Sequence, residues 1–159
     1  MKKQWLMLLP FLLLLSCSDS DNGDSLKNHP IVGSWQLEDI QYEIDISDEH
    51  IESLVIKELE AARNEGVNAQ LQIDFFEDGS FQTSSRWEDI GEGSYKVKGT
   101  QLTLYDNKTS ETFHYTIDFD HMEMEEDQTN YFRNKSIGTG TNLSEIIEYV
   151  KVITIYDRR

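Results

Sequence analysis

Leu71-Gln72-Ile73-Asp74-Phe75-Phe76-Glu77-Asp78-Gly79-Ser80-Phe81-Gln82-Thr83 is the stretch on which the fold turns. Apolar and polar residues alternate on both sides of Glu77-Asp78-Gly79, the mark of two half-buried strands joined by a tight turn. A three-residue loop with Gly79 left-handed pairs Phe76 with Ser80, so that Phe75 opposes Phe81 and Ile73 opposes Thr83. A two-residue Asp78-Gly79 turn would instead set Phe75 beside Gln82 and split the apolar face. The bulged turn is therefore expected.

The next hairpin obeys the same logic. Tyr95 and Val97 precede Gly99-Thr100, and Leu102 and Leu104 follow. Glycine at the first central position suits a type II′ turn, which pairs Val97 with Leu102 and Tyr95 with Leu104. Further on, Phe113, Tyr115, Ile117 and Phe119 alternate with polar residues, and Met122 and Met124 alternate with Glu123 and Glu125. Asn130 to Asn134 reads as a further strand, and a last one covers roughly Ile147 to Tyr156. The first strand, Gly33 to Ile46, shifts its apolar phase between Leu37 and Ile40, which predicts a bulge. Eight or nine antiparallel strands in one domain point to a closed or nearly closed barrel, because closure removes exposed edges.

One segment breaks the period of two. From Ser47 to Glu65, Ile51, Leu54, Val55, Leu59 and Ala62 recur at spacings of three and four, a stripe on one helical face. Ser47 or Asp48 caps the start, and Gly66 is expected to end the helix in a left-handed turn. The result is a helix of about four to five turns, packed by its stripe on a sheet or across a barrel end.

The chain has 159 residues and a formal net charge of −16. Its start is of another kind from the rest. Lys2 and Lys3 precede an apolar run, Trp5 to Leu15, well short of the ~20 residues a membrane-spanning helix needs. This is the pattern of a cleaved signal peptide. Leu14-Leu15-Ser16-Cys17 resembles the lipobox of bacterial lipoproteins, which implies a diacylglyceryl group on Cys17, cleavage before it, and a mature chain that begins there. The alternative is a secretory signal with an incidental cysteine. Cys17 is the single cysteine, so no internal disulfide forms. Each buried methylene of an acyl chain contributes ~0.8 kcal/mol, and two or three chains, palmitate or its like, anchor durably. Ser18 in place of aspartate removes the inner-membrane retention signal known for some lipoproteins. Ser18-Asp19-Ser20-Asp21-Asn22-Gly23-Asp24 is similar to acidic export tags for the cell surface and equally to a solvated spacer. Asp24-Ser25-Leu26 resembles a bacterial O-glycosylation triplet.

Loss of residues 1–16 takes the charge from −16 to −18. Such a chain repels nucleic acid and anionic headgroups. The expected organisation is a signal peptide over 1–16, an acylated acidic tether over 17–30 and one domain over 31–159. The expected location is the bacterial outer membrane, on its periplasmic or its cell-surface face.

Gly33-Ser34-Trp35-Gln36-Leu37 is similar to the opening strand of the lipocalin-like domains of bacterial lipoproteins. Phe75-Phe76-Glu77-Asp78-Gly79-Ser80-Phe81 resembles their aromatic hairpin, and Gly93-Ser94-Tyr95-Lys96-Val97 with Leu102-Thr103-Leu104 resembles the strand pair after it. The resemblance implies a single antiparallel lipocalin-like (calycin-type) β-barrel of eight or nine strands, with the helix inserted between the first and second. The same opening strand also resembles the Gly-x-Trp of true lipocalins, in which the tryptophan closes the barrel floor and an arginine near the end of the last strand lies across its ring. Trp35 matches the tryptophan, and Arg158 or Arg159 supplies the cation.

Trp35, Leu37, Ile73, Phe75, Phe81, Tyr95, Leu104, Phe113 and Tyr115 are the candidates to line a ligand cavity or to fill the core. Met122 and Met124 adapt to a ligand or simply pack. Trp87, after the polar stretch Thr83 to Arg86, is a rim aromatic or an ordinary packed one. The acidic residues Asp118, Asp120, His121, Glu123, Glu125, Glu126 and Asp127 invite a calcium reading, but Glu123 and Glu125 alternate with the methionines and read as solvated exterior. Asp19-Ser20-Asp21-Asn22-Gly23 starts like a calcium loop, yet its glycine comes one residue early and Pro30 stands where glutamate belongs. His29, His50, His114 and His121 lie on unrelated segments without zinc spacing. No nucleophile elbow or phosphate loop occurs. Neither an enzyme, a cofactor nor a metal is expected. The expectation is a membrane-anchored lipoprotein whose barrel takes a small apolar or amphipathic ligand. The alternative is a non-enzymatic surface or envelope interaction module with a filled core and an acidic outer face or helix for a protein partner.

Overall fold

Eight strands, each antiparallel to the next in sequence order, close into a barrel in the computed structural model, which describes residues 26–135 and 143–159. They are β1 (Gly33–Ile46), β2 (Gln72–Phe75), β3 (Ser80–Ser84), β4 (Asp89–Lys98), β5 (Gln101–Tyr105), β6 (Ser110–Asp118), β7 (His121–Asp127) and β8 (Ile147–Arg158). The first strand pairs with the last to complete the ring. Of the eight or nine strands expected, the barrel has eight, with one long helix between β1 and β2. The leader, Cys17, the acidic run to Asp24 and the Ser25 triplet lie outside the described residues.

Both hairpin registers follow from their turns. Phe75 opposes Phe81 and Ile73 opposes Thr83 across β2 and β3, with Gly79 at φ 84. Val97 opposes Leu102 and Tyr95 opposes Leu104 across β4 and β5, with Gly99 at φ 60. The β1 bulge lies where the apolar phase breaks, between Leu37 and Asp39. It keeps Ile40, Tyr42 and Ile44 in contact with apolar neighbours after Trp35 and Leu37 have been buried. Phe119 departs from expectation. Asp118 pairs with His121, so Phe119 and Asp120 form a two-residue turn, and Phe119 leaves the strand at φ 53 with 89% of its surface exposed.

The helix, α1 (Glu49–Ala69), is longer than its stripe predicts. Asp48 rather than Ser47 caps it, its carboxylate accepting the N–H groups of His50 and Ile51 at 3.0 Å, an arrangement that contributes ~1 kcal/mol. Ile51, Val55 and Leu59 are buried, Leu54 is half-buried and Ala62 faces solvent. Gly66 does not end the helix; Gln70, at φ 51, supplies the left-handed residue. The glycine serves a different need. A Cβ at Gly66 would stand 2.9 Å from Leu37 Cδ2, so its absence lets the helix lie close on the strand.

The segment expected as a strand over Asn130 to Asn134 is instead a short helix, α2 (Thr129–Asn134). Thr129 and Phe132 are both buried, and a spacing of three places two residues on one face in a helix but on opposite faces in a strand. The Asp127 carboxylate accepts the Thr129 N–H at 2.9 Å, and Thr129 Oγ1 accepts the Val150 N–H at 2.9 Å, which commits the entry of the segment.

Two apolar cores result. The barrel core gathers Ile31, Trp35, Ile73, Phe75, Phe81, Tyr95, Leu102, Tyr115, Met122 and Met124. The second joins the stripe of α1 to Phe132, Leu143, Ile147, Val150 and Val152, with Ile40, Tyr42 and Ile44 packed against it. It exists because β2 pairs with β1 only over Gly33 to Gln36, while β8 follows β1 to Ile46. The stripe of α1 therefore packs on a sheet, the ribbon of β1 and β8 that continues past β2.

Candidate functional site

The nominated residues converge in part. Trp35, Ile73, Phe75, Phe81, Tyr95 and Tyr115 pack together inside the barrel, and Leu104 and Phe113 lie half-buried against them. Leu37, although buried, belongs elsewhere: it faces Gly66 and the helix. Rings interlock at the centre, with Phe75 edge-on to Tyr95 at 4.9 Å between centroids and Phe81 at 6.4 Å from Phe75. Such pairs add ~0.5–1.5 kcal/mol to the burial of their area.

The two core tyrosines spend their hydroxyls on the turns below them. Tyr95 donates to the Phe76 carbonyl at 2.9 Å and Tyr115 to the Gly99 carbonyl at 3.3 Å. Burial pushes the Tyr95 phenol up to about 12, with the Asp78 and Tyr115 charges adding to the effect. Tyr156 is likewise pushed up to about 12 by burial. Among the described residues no buried side-chain nitrogen or oxygen lacks a hydrogen-bond partner.

The floor is closed by Trp35. Its Nε1 donates to the Ile31 carbonyl at 2.7 Å, and the Arg158 guanidinium lies over its ring at 4.3 Å from the centroid. Arg158 also donates to the carbonyls of Val32 and Pro30, which ties the segment before β1 across the barrel end. Of the two arginines considered, Arg158 is the one on the tryptophan. Arg159 donates to the amide oxygens of Gln36 and Gln72 outside. Sequence reasoning missed Ile31, fully buried, and Tyr156 as parts of this core. The signal for the first was present in Ile31-Val32 immediately before Gly33.

Open clefts lie on the surface of the described residues, and two of them bear on the site. One, about 500 Å³, is lined by Glu38, Asp39, Gln41, Arg63, His121 and Ile155 among others. Arg63 Nε stands 2.6 Å from Asp39 there and holds that carboxyl below its ordinary value. The other, about 430 Å³, is lined by Phe113, Val150, Tyr149, Glu125, Glu126 and Lys151 among others. Lys151 is paired with Glu43 at 2.8 Å and lies 3.8 Å from Glu125.

The acidic stretch does not gather on an ion. His121 Nδ1 sits 2.9 Å from Asp157, and its Nε2 3.7 Å from Glu123. Among the described residues no three histidine, cysteine or carboxylate side chains are placed to share a metal. Trp87 is a rim residue, 66% exposed, with the Arg86 guanidinium 4.2 Å from its ring centroid. No described helix is long and apolar enough to cross a membrane.

No family model matches the chain, and no curated protein does. A solved structure described as a DUF4847 family protein from Bacteroides vulgatus ATCC 8482 is similar over 84% of this chain and 97% of its own, at 12% identity and a TM-score of 0.43.

Proposed function

We propose that the chain is a lipid-anchored protein of the bacterial outer membrane whose lipocalin-like barrel is a packed, non-enzymatic scaffold for contact with another envelope or surface protein. The observation that carries this reading is the interior itself. The aromatics nominated to line a ligand cavity pack on one another, and the tyrosine hydroxyls bond to turn carbonyls rather than awaiting a guest. Barrels of about eight strands are just wide enough for side chains to fill. The strongly acidic surface favours a partner of positive charge. The anchor rests on the sequence around Cys17.

The test uses the protein purified from its host. Labelled fatty acid is expected to enter the chain and to be lost in Cys17→Ser. Native mass spectrometry is expected to give the acylated chain without a retained small molecule.

A second reading, a small apolar or amphipathic ligand, is favoured by the cleft beside Phe113. Its volume falls within the ~300–1,000 Å³ usual for ligand sites. A lipophile retained through native mass spectrometry, and lost on Phe113→Ser, would replace the scaffold reading with this one.

A further inference from the structure

Among the described residues, the exposed aromatics divide between the two ends of the barrel. Tyr105, Tyr131 and Tyr149 lie at the mouth, with Trp87 and Ile90 on its rim. The floor carries two phenylalanines instead. Phe76, 45% exposed, opens the β2–β3 turn, and Phe119, 89% exposed, heads the β6–β7 turn. These turns lie on opposite sides of the ring, three strand pairings apart. Phe119 also sits at φ 53, a backbone region that bulky side chains avoid and that glycine adopts freely. The fold buries almost none of this ring and yet holds it in a strained turn. Such strain is found most often at functional positions, ligand clamps and switches among them.

The described chain enters at the same end. Leu26 packs against the barrel core, within van der Waals reach of a Cβ placed on Gly79 in the β2–β3 turn. Pro30 and Val32 are tied under the floor by Arg158. Eight residues lie between Cys17 and Leu26, and the nine chain steps from one to the other span at most about 30 Å. An acylated Cys17 therefore keeps the floor, rather than the mouth, nearest the leaflet.

We propose that the barrel floor rests on the membrane, with the Phe119 and Phe76 rings entering the interface of a zwitterionic phospholipid leaflet on either side of the tether. This inference rests on the anchor reading of Cys17. The choice of lipid follows from charge. Glu77 and Asp78 follow Phe76, and Asp118 and Asp120 flank Phe119, so an anionic surface is repelled while a phosphatidylethanolamine or phosphatidylcholine surface is not. With the floor down, the mouth, α1 and the rim with Trp87 point away from the bilayer, toward any protein partner.

The experiment places one fluorophore on Thr100→Cys, in the floor turn between β4 and β5, or on Lys108→Cys, in the mouth loop between β5 and β6. Quenching by headgroup spin-labelled phospholipid is then read in phosphatidylethanolamine–phosphatidylcholine vesicles. One arm uses the acylated chain. The other uses the Cys17→Ser chain with a polyhistidine tag in place of residues 1–16, held by nickel-chelating lipid, so that floor contact is read whether or not the host acylates Cys17. The floor probe is expected to be quenched and the mouth probe not. Phe76→Ser with Phe119→Ser is expected to reduce floor quenching toward the mouth level, with the protein still on the vesicles and its circular dichroism unchanged. Equal quenching at both ends, or unchanged quenching in the double variant, overturns the proposal. So does a vesicle-free dimer that the double variant dissociates, which would make these rings a contact between copies. Absence of fatty acid on Cys17, with floor quenching intact in the tagged arm, sinks the anchor reading alone.

Discussion

Replacing Arg158 by methionine keeps the stem over Trp35 and removes the charge and every N–H donor. Four interactions go: the guanidinium at 4.3 Å from the Trp35 centroid, the bonds to the carbonyls of Val32 and Pro30, and the ion pair of Nε with the exposed Asp120 at 3.8 Å. A partly desolvated cation–π contact contributes ~0.5–2 kcal/mol, and a hydrogen bond from a charged donor ~1.5–3 kcal/mol. The side chain is 29% exposed, and water will replace part of what is lost, so the expected cost is about 2–3 kcal/mol. For a chain of this size that lowers Tm by about 5–10 °C. Urea unfolding followed by tryptophan fluorescence reads it, with Arg159→Met as the control. Arg159 bonds only to exposed amide oxygens, and its loss is expected to stay within ~0.5 kcal/mol. Equal losses in the two variants would refute the idea that Arg158 holds the floor. A double-mutant cycle with Trp35→Phe separates the ring contact from the carbonyl bonds.

Asp48→Ala removes the acceptor for two N–H groups at the start of α1 and is expected to cost ~1 kcal/mol by urea unfolding, whereas Ser47→Ala costs far less. Phe119→Gly, despite deleting a large apolar side chain, is expected to stabilise the water-soluble form by ~0.5–1 kcal/mol, because glycine accepts φ 53 without strain; a lower Tm would refute the turn geometry. Tyr95 and Tyr156 are held neutral with pKa values of about 12, against 10.0 in an unfolded chain. The stability they carry is intact below about pH 10 and is lost as pH rises from there through about 12. Alkaline unfolding in that window, in step with tyrosine ionisation, is expected, and Tyr95→Phe is expected to weaken the pH dependence.

The barrel was legible wherever one residue type settles a turn. Gly79 and Gly99 set both hairpin registers, and the phase break after Leu37 located the bulge. Legibility failed where two local codes overlap. Gly66 follows an amphipathic stripe as a terminating glycine would, but the requirement it meets is the nearness of Leu37, a tertiary contact that no periodicity encodes. Thr129 to Asn134 is too short for a helical period to declare itself, and its aromatic pair Tyr131-Phe132 reads equally well as a strand. Phe119 continues an alternation by composition while the turn has already begun. For the candidate site, aromatic content identified the residues of the barrel core but could not say whether they face a void or one another. Leu37 is buried as expected, but against Gly66 of the helix rather than among the barrel aromatics, a tertiary contact that the alternation does not encode.

The ring is sealed between its first and last strands, Gln36 meeting Asp157 across the whole run of intervening strands. Loop-closure entropy must be met before that seam rewards it, and a topology of this kind folds slowly. Until β8 has emerged, β1 beyond Gln36 has no strand partner and presents a free edge, with α1 alone to cover Ile40, Tyr42 and Ile44. The emerging polypeptide is thus most prone to aggregation until this seam closes, and a chaperone that binds extended apolar segments would shelter it.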